Sequence, residues 1–182
     1  MNTAIQSAVD RKPLAKPQER TVLSGIVTGQ IAGLIMAVVV MAVFTIFLGK
    51  GPLYPVQVIG SALLGESALS GFNVTAVLAG LVLHQLGPSL LWGVVFGLIA
   101  TKVEVRRTGE ALALGLVIGI VSMVGPYLLI PFLMTTLHGV DIWNREVPMA
   151  WDWAAHLVFG ASFALYPRIR IVPKLPLRQP EI

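Results

Sequence analysis

The chain predicts an all-α integral membrane protein, a four-helix bundle with an additional interfacial or re-entrant helix in its first outer loop. Three observations carry that expectation. Apolar residues make up 55% of the 182 and charged residues only 12%, against roughly 25% charged in an average soluble domain. Several apolar stretches approach or exceed the about 20 helical residues needed to cross a hydrocarbon core ~30 Å thick. The charges also sort by side. Eleven of the thirteen Lys and Arg residues fall into three clusters: Arg11, Lys12, Lys16 and Arg20; Lys102, Arg106 and Arg107; and Arg168, Arg170, Lys174 and Arg178. Between the clusters lie two apolar pairs, each interrupted by a loop with one base, Lys50 or Arg145. Under the positive-inside rule this is a four-span protein with both termini cytoplasmic.

The elements follow in order. Residues 1–21 are polar, basic and contain Pro13 and Pro17, which reads as a flexible cytoplasmic tail. The transmembrane domain is residues 22–168. Span one is 22–48, too long for the 7–15 residue core of a signal peptide and followed by no small-residue cleavage site. The outer connection after it, Pro55–Leu69, is apolar but too short to cross and holds Glu66. Such a stretch either lies on the membrane surface or re-enters it. Spans two and three are about 74–101 and 110–137. The outer loop His138–Met149 is a polar cap. Span four, about 150–166, is the shortest, with Trp151 and Trp153 outside and Tyr166 inside where an aromatic belt belongs. Residues 169–182 form a second basic cytoplasmic tail.

Small residues recur every fourth position in three spans: Gly25, Gly29, Gly33 and Ala37; Ser89, Gly93, Gly97 and Thr101; Ala111, Gly115 and Gly119. In lipid, where the hydrophobic effect does not drive helices together, such rows let backbones approach closely. They point to close helix–helix contact, within the chain or with another. Prolines predict kinks. Pro88 cannot donate a backbone bond and its ring displaces the carbonyl of His84, while Pro126 and Pro131 free the carbonyls of Ser122 and Tyr127. Two kinked helices would either widen an outer cavity or simply curve the bundle.

Composition excludes several function classes. A pI near 9.8 with bases flanking spans, and no basic stripe interleaved with aromatics, speaks for anionic lipid and against nucleic acid. With no cysteine, thiolate zinc sites, iron–sulfur clusters and cysteine nucleophiles drop out. There is no G-x-S-x-G, H-E-x-x-H or Walker loop, so no catalytic or metal residue is assigned. Asn73-Val74-Thr75 matches a glycosylation sequon but abuts a span. The interior of the spans holds no acid or base, and proton relays and ion-coupled transporters depend on such groups.

Histidine remains. His84 and His156, on different spans, are the candidate cofactor-binding residues, with bis-histidine b-type haem as one possibility and structural hydrogen bonding beside the kink as the other. Counting along straight helices from the basic anchors puts His84 ~27 Å above Lys102 and His156 ~18 Å above Arg168, an offset that disfavours haem. Otherwise no cofactor is expected. His138, Asp141, Glu146, Asp152 and Glu66 read as solvated outer-loop groups with no metal-diagnostic spacing.

Four segments also carry a resemblance: Gly51-Pro52-Leu53-Tyr54-Pro55, Leu83-His84-Gln85-Leu86, Tyr127-Leu128-Leu129-Ile130-Pro131 and Ala155-His156-Leu157-Val158-Phe159-Gly160. In these the chain resembles an uncharacterised group of small four-span bacterial membrane proteins with no assigned activity. The resemblance implies the architecture, a place in the bacterial cytoplasmic membrane and proximity to respiratory enzymes. The expectation for function is a non-catalytic accessory or assembly subunit of a larger membrane complex, respiratory complexes being the first candidates. Its partners would be membrane lipid and other integral subunits or further copies of itself. The alternatives are a small carrier or channel using the kinked-helix cavity and, third, a b-type haem protein.

Overall fold

A computed structural model describes residues 17–170. The tails expected at 1–21 and 169–182 lie outside those residues apart from their inner edges. Among the described residues the fold is all-α, without strands. Three helices are long and apolar enough to cross a membrane: α1 (Pro17–Phe47), α3 (Val74–Ala100) and α4 (Thr108–His138). Shorter helices complete the chain. These are α2 (Tyr54–Leu64), α5 (Ile142–Glu146), α6 (Met149–Ser162) and, after a 3-10 turn, α7 (Tyr166–Ile169).

Helix ends follow from local chemistry. The first helix begins at Pro17, five residues before the expected span boundary at 22, because proline is tolerated in a first turn and Glu19 suits the positive N-terminus. Asn73 caps α3 by accepting the N–H of Ala76 at 3.1 Å. The Glu110 carboxylate accepts the N–H groups of Arg106 and Arg107 at 2.8 and 3.0 Å, covering donors that open α4. That helix ends on Gly139, whose φ of 72° only glycine adopts without strain. Asp141 caps α5 through the N–H of Asn144 at 3.0 Å.

Packing divides the molecule into two tight pairs. In the first, Gly25 and Gly29 of α1 lie on Gly93 and Gly97 of α3. A Cβ added at Gly29 would stand 2.5 Å from the Ser89 carbonyl and 2.6 Å from the Gly93 Cα. Gly33 faces Ser89 and Gln85, and Gly97 faces Val22. In the second pair, Gly115 and Gly119 of α4 lie on the backbone of His156 and Gly160 of α6. The three glycine rows therefore meet partners inside this chain. Gly160 is the counterpart that the four-residue spacing did not single out.

Two apolar clusters close the ends. Near Lys102, Phe96, Phe159, Phe163 and Tyr166 pack together, with Phe96 stacked on Phe163 at 4.6 Å between centroids. Tyr166 is 1% exposed, so it belongs to this core and not to the aromatic belt expected there. At the other end Ala62, Met134 and Ile142 pack under α2. Eleven residues make α2 too short to cross. It lies against α3 through Gly60 and Gly80, each touching the other helix's backbone. The buried Gln57 amide donates to the carbonyls of Ala68 and Gly71, both at 2.7 Å, which folds the rest of the loop back onto α2.

Candidate ligand cavity

Between the two pairs the helices separate, and the prolines show why. Each long helix opposite the gap contains one π-turn, Gln85–Ser89 in α3 and Gly125–Leu129 in α4. A wider turn absorbs the register slip that proline forces, so both helices bend without breaking. In α3 the N–H of Leu90 reaches Gln85 O, and the hydroxyl of Ser89 donates to the freed His84 carbonyl at 3.0 Å. Gln30 of α1 adds a bond to Gln85 O at 2.9 Å. The polar backbone left by Pro88 is thus satisfied by Ser89 and not by an imidazole, as the medium requires. In α4 the N–H of Ile130 goes to Gly125 O. Pro131, next in line, needs no donor where the register has already shifted.

The result is a cavity of about 470 Å³. Its wall is apolar almost throughout, with Val40, Ile59, Leu83, Leu129 and Phe159 among its lining. Both Pro88 and Pro126 face it. Leu91 and Leu129 also line it and are 55% and 57% exposed, so the wall between the two bent segments is open to the side. This is the volume and character of a small-molecule site.

Few polar groups reach this wall. His84 and His156 both line it. Straight-helix counting set them at different levels, yet both side chains line the same cavity. His84 Nε2 is 3.0 Å from Gly33 O, and since a carbonyl only accepts, Nε2 carries the hydrogen. His156 Nδ1 is 2.7 Å from the Ser122 hydroxyl, and its Nε2 is 3.6 Å from Asp152 Oδ1. Asp152 Oδ2 accepts the indole N–H of Trp143 at 3.2 Å.

Asp152 corrects the sequence reading twice. It is not a solvated loop group but 8% exposed on α6, and it places an acid one helical turn from His156 inside the apolar region. The expectation that no acid lies inside the stretch 150–166 therefore fails at this residue. A signal was present, since Asp152 and His156 are four apart and share a helix face. Ser122 was noticed only as a carbonyl freed by Pro126, and nothing in the sequence pairs it with His156 across 34 positions.

The other outer acids and His138 do other work. His138 Nε2 donates to Ala62 O at 3.1 Å. Glu146 accepts the Tyr54 hydroxyl at 2.6 Å and Arg145 Nε at 2.9 Å, and Arg145 also pairs with Glu66. Among the described residues no three His, Asp or Glu side chains converge as a metal site would require. The Tyr54–Glu146 clamp joins the two outer connections. Partial burial, then the bond to Glu146 and its charge, push the Tyr54 hydroxyl up to about 12. Burial alone would raise the Glu146 carboxyl, but the bonds from Tyr54 and Arg145 hold it below the usual range.

Comparison with known proteins adds no constraint on this site: no family model, curated protein or solved structure matches the chain.

Proposed function

We propose that this chain is a four-span protein of the bacterial cytoplasmic membrane that holds a lipid-soluble small molecule in its central cavity. The observation that carries the reading is the apolar, side-opening cavity with three ionisable side chains, His84, Asp152 and His156, on its wall. A cavity of this kind favours the carrier-like alternative over a purely structural subunit, because close packing rather than a gap is what a scaffold requires. The fourth crossing would be α6, prolonged by the 3-10 turn and α7 to about the 20 residues a span needs. Arg168 and Arg170 stand at its inner end, and both termini lie in the cytoplasm. In this arrangement α2 is a helix held against the bundle at the outer side, interfacial in character, and the four crossings form the bundle.

Two experiments test it. Reporter fusions near Gly71, Arg106 and Asn144 should read out, in, out, and an external reading at Arg106 would discard the topology. Extraction of the protein purified in mild detergent should release about one lipophilic molecule per chain. A protein partner in fixed ratio with no such molecule would return the accessory-subunit reading. A Soret band lost in both His84→Gln and His156→Gln would establish the b-haem reading instead.

A further inference from the structure

Hydrogen-bond arithmetic at the inner wall constrains what the cavity can hold. The Ser122 hydroxyl has one proton and two neighbours at 2.7 Å, Gly119 O and His156 Nδ1. An unbroken α-helix would send the N–H of Met123 to Gly119 O, but here it goes to Ile120 O at 3.2 Å. The Ser122 proton therefore serves Gly119 O, and His156 Nδ1 must be the donor to Ser122. A serine so engaged is not activated for nucleophilic attack, which would need its proton directed at the imidazole.

That assignment leaves His156 Nε2 facing Asp152 Oδ1 across 3.6 Å. With neither atom protonated, a lone pair would meet a carboxylate held only by the Trp143 N–H in an apolar cavity, which is unfavourable. One proton must lie between them, on Nε2 or on Oδ1. At 3.6 Å the two do not form a good hydrogen bond with each other. Among the described residues no fully buried side-chain N or O lacks a partner, so this under-bonded pair reaches the cavity space. The same reasoning applies to His84. Its Nε2 hydrogen is engaged by Gly33 O, so in the neutral ring Nδ1 is an acceptor with no partner in the chain, and it reaches open space. Asp152, His156 and His84 are the ionisable groups lining the cavity.

The wall thus offers one movable proton, at Asp152–His156, and one fixed acceptor, at His84. We infer that the cavity ligand carries a neutral hydroxyl head, phenolic or alcoholic, on a long apolar body: its oxygen accepts the Asp152–His156 proton and its O–H is offered to His84. An ionised carboxylate is the wrong head because the Asp152–His156 pair with its one proton is neutral overall, which leaves a buried anion without a compensating charge. This inference rests on the ligand-holding reading above.

Trp92, Trp143 and Trp151 line the cavity and report its occupancy by fluorescence. The full chain in lipid nanodiscs is titrated with 4-dodecylphenol, its methyl ether and dodecanoate, with empty nanodiscs subtracted. The phenol is expected to bind about tenfold more tightly than the ether, as the one hydrogen bond that the ether cannot make, its O–H to His84, allows. His84→Leu, which removes the acceptor for the ligand O–H, should bring phenol binding down toward that of the ether. Equal binding of phenol and ether to the wild-type protein would overturn the inference yet leave the cavity's role in holding apolar molecules intact. Dodecanoate binding more tightly than the phenol would also overturn it. If none of the three binds, the ligand-holding reading falls with it. The wild-type comparison decides the matter even if His84→Leu does not fold.

Discussion

The contact between α1 and α3 and the gap between α3 and α4 share one helix, and they differ in what stands on each of its faces. On one face Gly93 and Gly97 bring a second backbone into direct contact. On the other the π-turn at Gln85–Ser89 carries Pro88 and Leu91 into the cavity wall. The same contrast repeats in α4, where Gly115 and Gly119 seat α6 while the turn at Gly125–Leu129 bends away. Small residues close a helix pair because nothing intervenes between backbones. Proline opens a space because the register slip it forces has to be taken up by a wider turn. Five buried polar side chains, His84, Ser89, Ser122, Asp152 and His156, line the opening, where they have polar neighbours other than lipid.

The largest effect should come from attacking a seam. Gly29→Leu or Gly115→Leu would drive a side chain into facing backbone, with a cost of about 3 kcal/mol or more, read as loss of folded protein in a detergent melt. The same change at Gly87, which lines the cavity and whose Cβ would meet nothing within 4 Å, should cost far less. Similar losses at the two positions would break the distinction between seam and gap.

Next in size is Ser89→Ala. It strands the His84 carbonyl at the bend, a buried unsatisfied acceptor worth roughly 1–3 kcal/mol. His84→Leu should be milder, about 1 kcal/mol, because Gly33 O loses only an added donor. His84→Gln should be milder still. If His84→Leu proved the more damaging, the imidazole and not Ser89 would be holding the bend.

The smallest effect is at the outer clamp, where exposed charges weaken every contact to under about 1 kcal/mol. Tyr54 has its folded value raised, so its contribution is complete below about pH 10 and is lost as pH rises toward 12. Glu146 has its folded value lowered, so its contribution is present above its unfolded value near 4.5 and is lost as pH falls through the lower folded one. A shallow stability plateau between those limits is expected, and Tyr54→Phe should remove the alkaline decline. An unchanged alkaline limb in that variant would show that the clamp adds nothing to the seams.

Chain composition and charge order determined the class of this protein by themselves. An apolar run near 20 residues has few ways to satisfy its backbone other than a helix, so α1, α3 and α4 were expected close to their observed bounds. The four-residue glycine rows and the three prolines announced where helices would touch and where they would bend. Only the tertiary structure decided what faced what. The rows could not say that Gly115 meets Gly160, because spacing along one helix carries no information about its partner. Counting residues along separate helices could not place His84 and His156 on one cavity, because a residue count says nothing of which helix faces meet each other. Asp152 read as a loop acid because it stands at the third position of the expected stretch 150–166, beside the polar outer loop. It became a buried partner of His156 only when α5 folded over it and Trp143 supplied a donor. That last step depends on contacts between segments distant in sequence, which no local pattern encodes.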